Sequence, residues 1–275
     1  MARIAFFLFA TGCIGTRNVE PNWEYVDVDE TAIEGCGEDD TGSANGFSIS
    51  GDVQDMLSLQ APTNPGPLCA YALNPTPVLA GNEPEVMAGA AVCEDGSYKV
   101  SGLTDPPSIG MFISIADCDE TTLTVMKSAT GVDFDDVKDL GDGDTLGNQV
   151  AYLVTLELGQ SIDQGLVDFE GDAVETGFMA GFILDAAGQP VSGGMVSCGE
   201  CADFYYMDAD DSDGLFSTNG ERNTSTDIAT GSVFVAPAAP IFTYEATDDG
   251  SHTWDSQLFG SLPGYASFLL FNALN

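Results

Sequence analysis

Basic residues are the scarcest feature of this sequence. Its 275 residues include 6 Lys and Arg against 44 Asp and Glu, which gives a formal net charge of −38. A nucleic-acid backbone or an anionic lipid surface would be repelled by almost every face of such a chain. The composition therefore excludes nucleic-acid binding.

Histidine and the common catalytic motifs are also missing. The single histidine, His252, excludes mechanisms that need two imidazoles and lies in a turn-like stretch, where a solvated side chain is expected. The sequence has no H-E-x-x-H, no G-x-S-x-G and no phosphate-loop pattern. We therefore predict a protein that is not an enzyme and has no cofactor other than an optional structural calcium ion.

The N-terminal apolar run is short. Ile4 to Ala10 follows the single charge of Arg3 and is too short to cross a bilayer as a stable helix, which is typical of a secretion signal. The run ends in Ala10-Thr11-Gly12-Cys13, which resembles the lipobox of bacterial lipoproteins. An ordinary secretory signal followed by an incidental cysteine is the alternative.

The lipoprotein resemblance implies an anchor and a location. In that family the signal is cut before the cysteine, so residues 1–12 would be removed and Cys13 would carry the lipid. Ile14 stands where Asp would favour the inner membrane. The resemblance therefore implies the outer membrane or the cell surface, with the membrane as a partner through the lipid; a periplasmic or secreted protein is the alternative.

The cysteine count is odd, and lipidation of Cys13 would explain it. The remaining six can form three disulfides in an oxidising compartment, in any of 15 pairings, and are Cys36, Cys69, Cys93, Cys118, Cys198 and Cys201. Two bridges in the first half and one in the second is the simplest partition. For Cys198-Gly199-Glu200-Cys201 a structural disulfide is preferred over a metal site or a redox site, because neither histidines nor basic residues lie nearby.

Glycine and proline, at 32 and 13 residues, suit many short strands joined by tight turns and exclude a helical bundle. Apolar runs bounded by turn residues predict strands around Phe47 to Val53, Leu68 to Leu73, Glu85 to Val92, Tyr98 to Val100 and Met111 to Ile115. We therefore predict an all-β fold.

Two pairs of segments are similar, which indicates an internal repeat. Gly46 to Val53 parallels Gly177 to Asp185 at an offset of 131 residues, and Gly96 to Val100 parallels Gly231 to Val235 at an offset of 135. The second copy, with Phe182 to Val191 reading F-I-L-D-A-A-G-Q-P-V, resembles the carboxypeptidase regulatory-like, or transthyretin-like, β-sandwich. That resemblance implies a non-catalytic folding, spacing or binding module.

The repeat suggests a domain division. We expect a tether over residues 13–45, a first transthyretin-like or immunoglobulin-like β-sandwich over 46–118, a short connector over 119–176 and a second sandwich over 177–275. Within the connector, residues 148–158 fit a short helix ended by Gly159 or a buried strand, and the helix is slightly preferred. The apolar tail from Ala266 to Ala273 is expected to be the last strand of the second sandwich.

Acidic clusters offer candidate ligands for a calcium ion. Asp208, Asp210, Asp211 and Asp213 precede Gly214, and calcium prefers several such oxygens on a flexible turn. The EF-hand order fails, however, because Ala209 stands where the first ligand belongs. A second cluster, from Asp133 to Asp144, has no regular ligand order. Solvated acidic turns are the default interpretation of both.

Aromatic residues cluster in Phe204 to Tyr206 and in the tail from Trp254 to Phe271. On an exposed sheet face they would stack on sugars, but alternating within strands they form core, which is the preferred interpretation. We predict a non-catalytic structural or adhesion module with a glycan or surface-protein partner. A carbohydrate-binding module and an acidic hydrolase with paired carboxylates are the alternatives.

Overall fold

The computed structural model describes residues 45–62, 67–119, 123–166, 172–199, 203–208, 214–218, 221–239 and 241–275. Strands account for 45% of the described residues and helices for 12%, which confirms the all-β class. None of the helices in these ranges has the length and apolar character needed to span a membrane.

The elements follow one another along the chain with few helices between strands. The strands are β1 (Phe47–Asp55), β2 (Leu68–Asn74), β3 (Glu85–Ala91), β4 (Ser97–Leu103), β5 (Met111–Asp117), β6 (Val125–Met126), β7 (Ser128–Val132), β8 (Thr145–Thr155), β9 (Phe178–Leu184), β10 (Met195–Ser197), β11 (Tyr205–Tyr206), β12 (Ser217–Thr218), β13 (Glu221–Arg222), β14 (Val233–Pro237), β15 (Phe242–Thr247), β16 (Gln257–Phe259) and β17 (Ala266–Asn272). The α-helices are α1 (Phe134–Val137), α2 (Leu156–Gly165) and α3 (Ala173–Thr176), and 3₁₀ helices cover Thr76–Ala80 and Ile228–Thr230. The five strands predicted in the first half are all present as β1 to β5.

One large sheet runs through both halves of the chain. Its eight strands lie in the order β11-β14-β9-β17-β7-β5-β2-β3. A four-stranded sheet (β4-β1-β8-β6) and a three-stranded sheet (β10-β15-β16) are separate from it, and β12 and β13 form a small hairpin. The predicted tail strand is confirmed as β17, and it lies inside the large sheet between β9 and β7.

Both faces of the large sheet are buried. Alternate residues of β5 illustrate this, because Phe112 belongs to one apolar cluster and Ile113 to another. The first cluster extends over one face from β2 to β14 and includes Tyr244 of β15. The opposite face carries two further clusters, one under the four-stranded sheet and one centred on Phe178, Phe182 and Phe268. The sheet is therefore the middle layer of the molecule.

The helix preferred for residues 148–158 is wrong for most of that segment. Strand β8 continues to Thr155, whose side chain then accepts a hydrogen bond from Leu158 N at 3.2 Å and begins α2. Helix α2 passes through Gly159 and ends at Gly165. Alternate β8 residues face different cores, with Leu153 in one and Val154 in the other. A strand buried on both faces reads as a continuous apolar run, so its period of two is hidden.

The two similar segment pairs form antiparallel strand pairs with the same register at their centres, β1 with β4 as the first strand pair and β9 with β14 as the second strand pair. In the first, β1 pairs antiparallel with β4, and Ile49 lies opposite Val100. In the second, β9 pairs antiparallel with β14, and Ala180 lies opposite Val235. Offsets of 131 and 135 residues convert the first pair into the second. Each strand pair also has a parallel neighbour, β8 beside β1 and β17 beside β9.

The parallel neighbour of the first strand pair, β8, lies in the segment predicted as a connector, residues 119–176. Strand β8 is paired with β1 over seven residues of each strand, so this part of the chain builds a sheet. The domain boundaries and the membership in the transthyretin-like class stay predictions. The predicted signal and nearly all of the tether, residues 1–44, lie outside the described residues.

Candidate functional site

Several predicted site residues lie outside the described residues, namely Cys13, Cys36, Cys201, Asp210, Asp211 and Asp213. Among the described cysteines, Cys69 of β2 and Cys118 form a disulfide. Cys93 and Cys198 are also in disulfide form. Bonded cysteines fit an oxidising compartment, and the complete pairing stays a prediction.

The predicted calcium ligands are represented in the structure by Asp208 alone, whose backbone N donates to Leu215 O at 2.9 Å. The calcium site therefore stays a prediction. In the second acidic cluster, Asp142 Oδ1 accepts from Gly46 N at 2.6 Å and Asp144 Oδ2 accepts from Gly141 N at 2.8 Å. These carboxylates hold backbone turns. Across the described ranges, no three His, Cys, Asp or Glu side chains are grouped to hold a metal ion.

His252 is paired rather than simply solvated. Its Nδ1 lies 2.6 Å from Asp248 Oδ2, and 28% of its side chain is exposed. Burial raises the pKa of Asp248, but hydrogen bonds from the His252 ring and from the Gly250 and His252 backbone N–H groups outweigh it, so that this pKa lies below its usual value. The pair closes the loop after β15, and it lies beside the ring of Trp254 at a centroid distance of 5.5 Å.

The aromatic residues of the second half form core, which confirms the preferred interpretation. Tyr205, Tyr206, Tyr265, Phe268 and Phe271 are all buried. Phe204 and Trp254 are partly buried and pack against the same apolar cluster. These rings do not form an exposed platform for sugars, so the carbohydrate alternative loses the feature that suggested it.

An apolar groove is the strongest candidate for a binding site. It lies at the end of the large sheet where β2 ends, β5 begins and β7 ends, because Phe112 pairs with both Leu73 and Gly131. The loop entering β15 and the end of β16 form its other wall. The groove has a volume of about 370 Å³, within the range of small-ligand and side-chain pockets.

Four exposed aliphatic side chains line this groove. The exposed fractions are 74% for Leu258, 59% for Leu79, 49% for Ile109 and 44% for Ile241. They are half of the eight large apolar side chains exposed among the described residues. Scattered exposed leucines are ordinary, whereas a contiguous set around a concavity marks an interaction surface.

Two aromatic rings and a glycine form part of the groove lining. The Phe112 and Phe259 rings meet edge to face with centroids 5.9 Å apart. Gly131 lies against both, since a Cβ at this position would come 3.9 Å from a ring carbon of each. The missing side chain of Gly131 therefore helps to keep the groove open.

One carboxylate, Asp133, is the charged group of the lining. It precedes α1, and its side chain is exposed. Partial desolvation raises the pKa of Asp133, and the charges of Asp136 and Asp135 raise it further. Lys138 contacts Asp135 at 2.5 Å. A lone carboxylate in an apolar groove provides a binding contact but no acid and base pair.

No sequence pattern indicates this groove. Its four exposed aliphatic residues come from the 3₁₀ helix after β2, the β4–β5 loop, the residue before β15 and strand β16. These segments are far apart in the sequence, so only the folded arrangement brings them together. Phe259 belongs to the aromatic tail cluster, for which the sequence predicts a place in the core.

Comparison with known proteins gives no family. No family model matches the chain, and no curated protein matches it in sequence. Among solved structures it is similar to a double mutant of the shaft pilin SpaA from Lactobacillus rhamnosus GG, with 10% identity and a TM-score of 0.23 over 84% of this chain and 98% of the pilin.

Two further pilins match at the same level. The minor pilin GBS52 from Streptococcus agalactiae has 11% identity and a TM-score of 0.21, over 83% of this chain and 97% of that one. A streptococcal ancillary pilin has 9% identity and a TM-score of 0.23, over 82% of this chain and 68% of that one. Likenesses this low carry no argument about what this chain does.

Proposed function

We propose that this protein is a non-catalytic structural or adhesion module of the cell surface, and that the apolar groove is its contact surface. The observation that carries the proposal is the ring of exposed Leu79, Ile109, Ile241 and Leu258 around a concavity with a single carboxylate, Asp133. Such a site can bury apolar surface from a partner, which is the dominant favourable term in association. It lacks the paired groups that acid–base catalysis requires.

The location is the second part of the proposal. We infer that the mature chain is anchored through a lipid on Cys13 and exposed outside the cytoplasm. The disulfide between Cys69 and Cys118 supports this, because such bonds persist in oxidising compartments. The acidic composition rules out electrostatic attachment to an anionic membrane, so a membrane-bound form would depend on the lipid.

Intact mass of the membrane fraction tests the anchor. A lipid adduct on Cys13 is expected, with the mass gain of three reduced disulfides after reductant treatment. The matched variant Cys13→Ser should lose the adduct and leave the membrane. A lipid-free chain cut at another residue would contradict the anchored form.

Attachment of cells that display the protein tests the contact surface. Gly131→Val places a side chain between Phe112 and Phe259 and fills the groove without removing any group, so attachment is expected to fall. Gly147→Val is the matched control, because this strand glycine has the same clearance, 3.9 Å, at a site outside the groove lining. Equal attachment by the two variants would show that the groove is not the contact surface.

A further inference from the structure

The groove combines two features that together specify a partner. Its walls are apolar, with Leu258 as the most exposed aliphatic side chain. Its charged group is Asp133, whose carboxylate is accessible to solvent. A partner that only buried apolar surface would leave Asp133 against an apolar neighbour, which is unfavourable unless the partner supplies a matching polar group.

The charge around Asp133 is negative as well. The charges of Asp135 and Asp136 both act on this carboxylate. Lys138 is engaged by Asp135, its salt-bridge partner one turn away. A cation placed beside Asp133 would therefore be attracted by this part of the rim, and an anion would be repelled.

We propose that the groove binds a polypeptide segment of a partner protein in which large apolar side chains flank a lysine or arginine. This inference rests on the proposed function, because it takes the groove to be the contact surface. The apolar side chains would pack on Phe112, Phe259 and Leu258, and the cation would pair with Asp133. A volume of about 370 Å³ accommodates one or two large side chains rather than a whole domain.

Charge argues against other occupants. A second copy of this chain would bring a further net charge of −38 to the interface. An anionic lipid surface would be repelled for the same reason. A neutral glycan would leave the four aliphatic side chains without apolar partners.

The test measures binding of labelled, blocked heptapeptides to the purified protein by fluorescence polarisation. The reference peptide carries a lysine between two leucines, and its variants carry glutamine for lysine, glutamate for lysine, or serine for both leucines. We expect the lysine peptide to bind about two- to fivefold more tightly than the glutamine peptide, as for an exposed ion pair. The glutamate and serine peptides should bind more weakly than both.

Protein variants locate the binding. Gly131→Val should weaken binding of the lysine peptide about tenfold by excluding one large side chain, while Gly147→Val should not. Asp133→Asn should remove the preference for lysine over glutamine. Glu94→Gln is its matched control, since this exposed residue follows β3 at the opposite end of the sheet and the change in net charge is the same.

The contrary results separate this inference from the proposed function. Equal binding of the serine and leucine peptides would overturn the inference, because charge alone would then explain binding. Reduced attachment of Gly131→Val cells without binding of any peptide would keep the contact surface and overturn the partner class. Self-association in sedimentation that Gly131→Val abolishes would identify a second copy as the occupant and overturn the inference. No effect of Gly131→Val in either assay would overturn both proposals.

Discussion

The two similar strand pairs, β1 with β4 and β9 with β14, place different side chains at the same position. Lys99 of β4 lies opposite Ser50, and the equivalent Phe234 of β14 lies opposite Gly181. Lys99 is exposed, whereas Phe234 is fully buried. The backbone register at these positions is the same in the two strand pairs, so the difference comes from what covers each pair.

Neighbouring elements explain this difference. In β4 of the first strand pair, buried residues alternate with more exposed ones, as in a sheet with one side in solvent. The second strand pair lies within the large sheet, and Phe234 belongs to the cluster that includes Tyr244 of β15. Its ring also contacts Phe204, at a centroid distance of 6.0 Å. One strand pattern can therefore become an outer layer or a middle layer, depending on the additional sheet.

Truncation at the equivalent positions should give the largest contrast. Phe234→Ala is expected to lower the free energy of unfolding by about 3–5 kcal/mol, because it opens a cavity in a closed cluster. Lys99→Ala should change it by less than about 0.5 kcal/mol, as for an exposed surface position. Urea unfolding of the two variants measures both values. Similar losses at both positions would mean that the layers are not distinct in solution.

A glycine precedes the first strand of each strand pair, and substituting it tests a backbone feature that the two pairs share. Gly46 and Gly177 have φ values of 90° and 81°, and a Cβ at either would lie 2.4 Å from Leu103 O or 2.6 Å from Tyr265 O. Gly46→Ala and Gly177→Ala should each lower the free energy of unfolding by about 1–3 kcal/mol, from overpacking and backbone strain together.

A third glycine separates those two costs. Gly102 also has a positive φ, 78°, but a Cβ placed there would meet no atom of the described residues within 4 Å. Gly102→Ala should therefore cost less than the other two, about 1 kcal/mol from the backbone alone. Urea unfolding of the three variants gives the comparison. A smaller loss for Gly177→Ala than for Gly102→Ala would contradict the close approach of Gly177 to the Tyr265 backbone.

Most of the first-half strands could be predicted because their apolar runs end in turn residues. The layer arrangement could not, since β8 and β17 carry apolar residues on both faces and their runs do not reveal which core each residue faces. Leu153 and Val154 are adjacent apolar residues that pack in different cores. The repeat predicted no strand pairing, but its two offsets, 131 and 135 residues, convert the observed pair of Ile49 with Val100 into that of Ala180 with Val235.

The groove lay beyond sequence reasoning for a different reason. Leu79 and Leu258 are separated by most of the described chain, and an exposed leucine alone is ordinary. The acidic clusters drew attention instead, and Asp142 and Asp144 proved to hold turns. The negative charge around the groove agrees with the overall net charge of −38, whereas its apolar walls form only when this end of the sheet is assembled.

The carboxylates in turns of the two halves should give the smallest contrast. Asp95 accepts hydrogen bonds from Ser97, which lower its pKa, and Asp248 is held by His252 as well as by backbone N–H groups. A lowered folded-state pKa means stabilisation that is present above the unfolded value, about 3.9, and is lost as the pH falls through the folded value.

Asp248→Asn should therefore destabilise the protein at pH 7 and converge with the wild type in acid. His252→Gln should reduce this acid-sensitive part without changing that of Asp95, because Asp95 is held by Ser97 and not by His252. Unfolding free energies between neutral and acidic pH measure it, and a constant difference between wild type and Asp248→Asn would show that ionisation of Asp248 does not stabilise this loop.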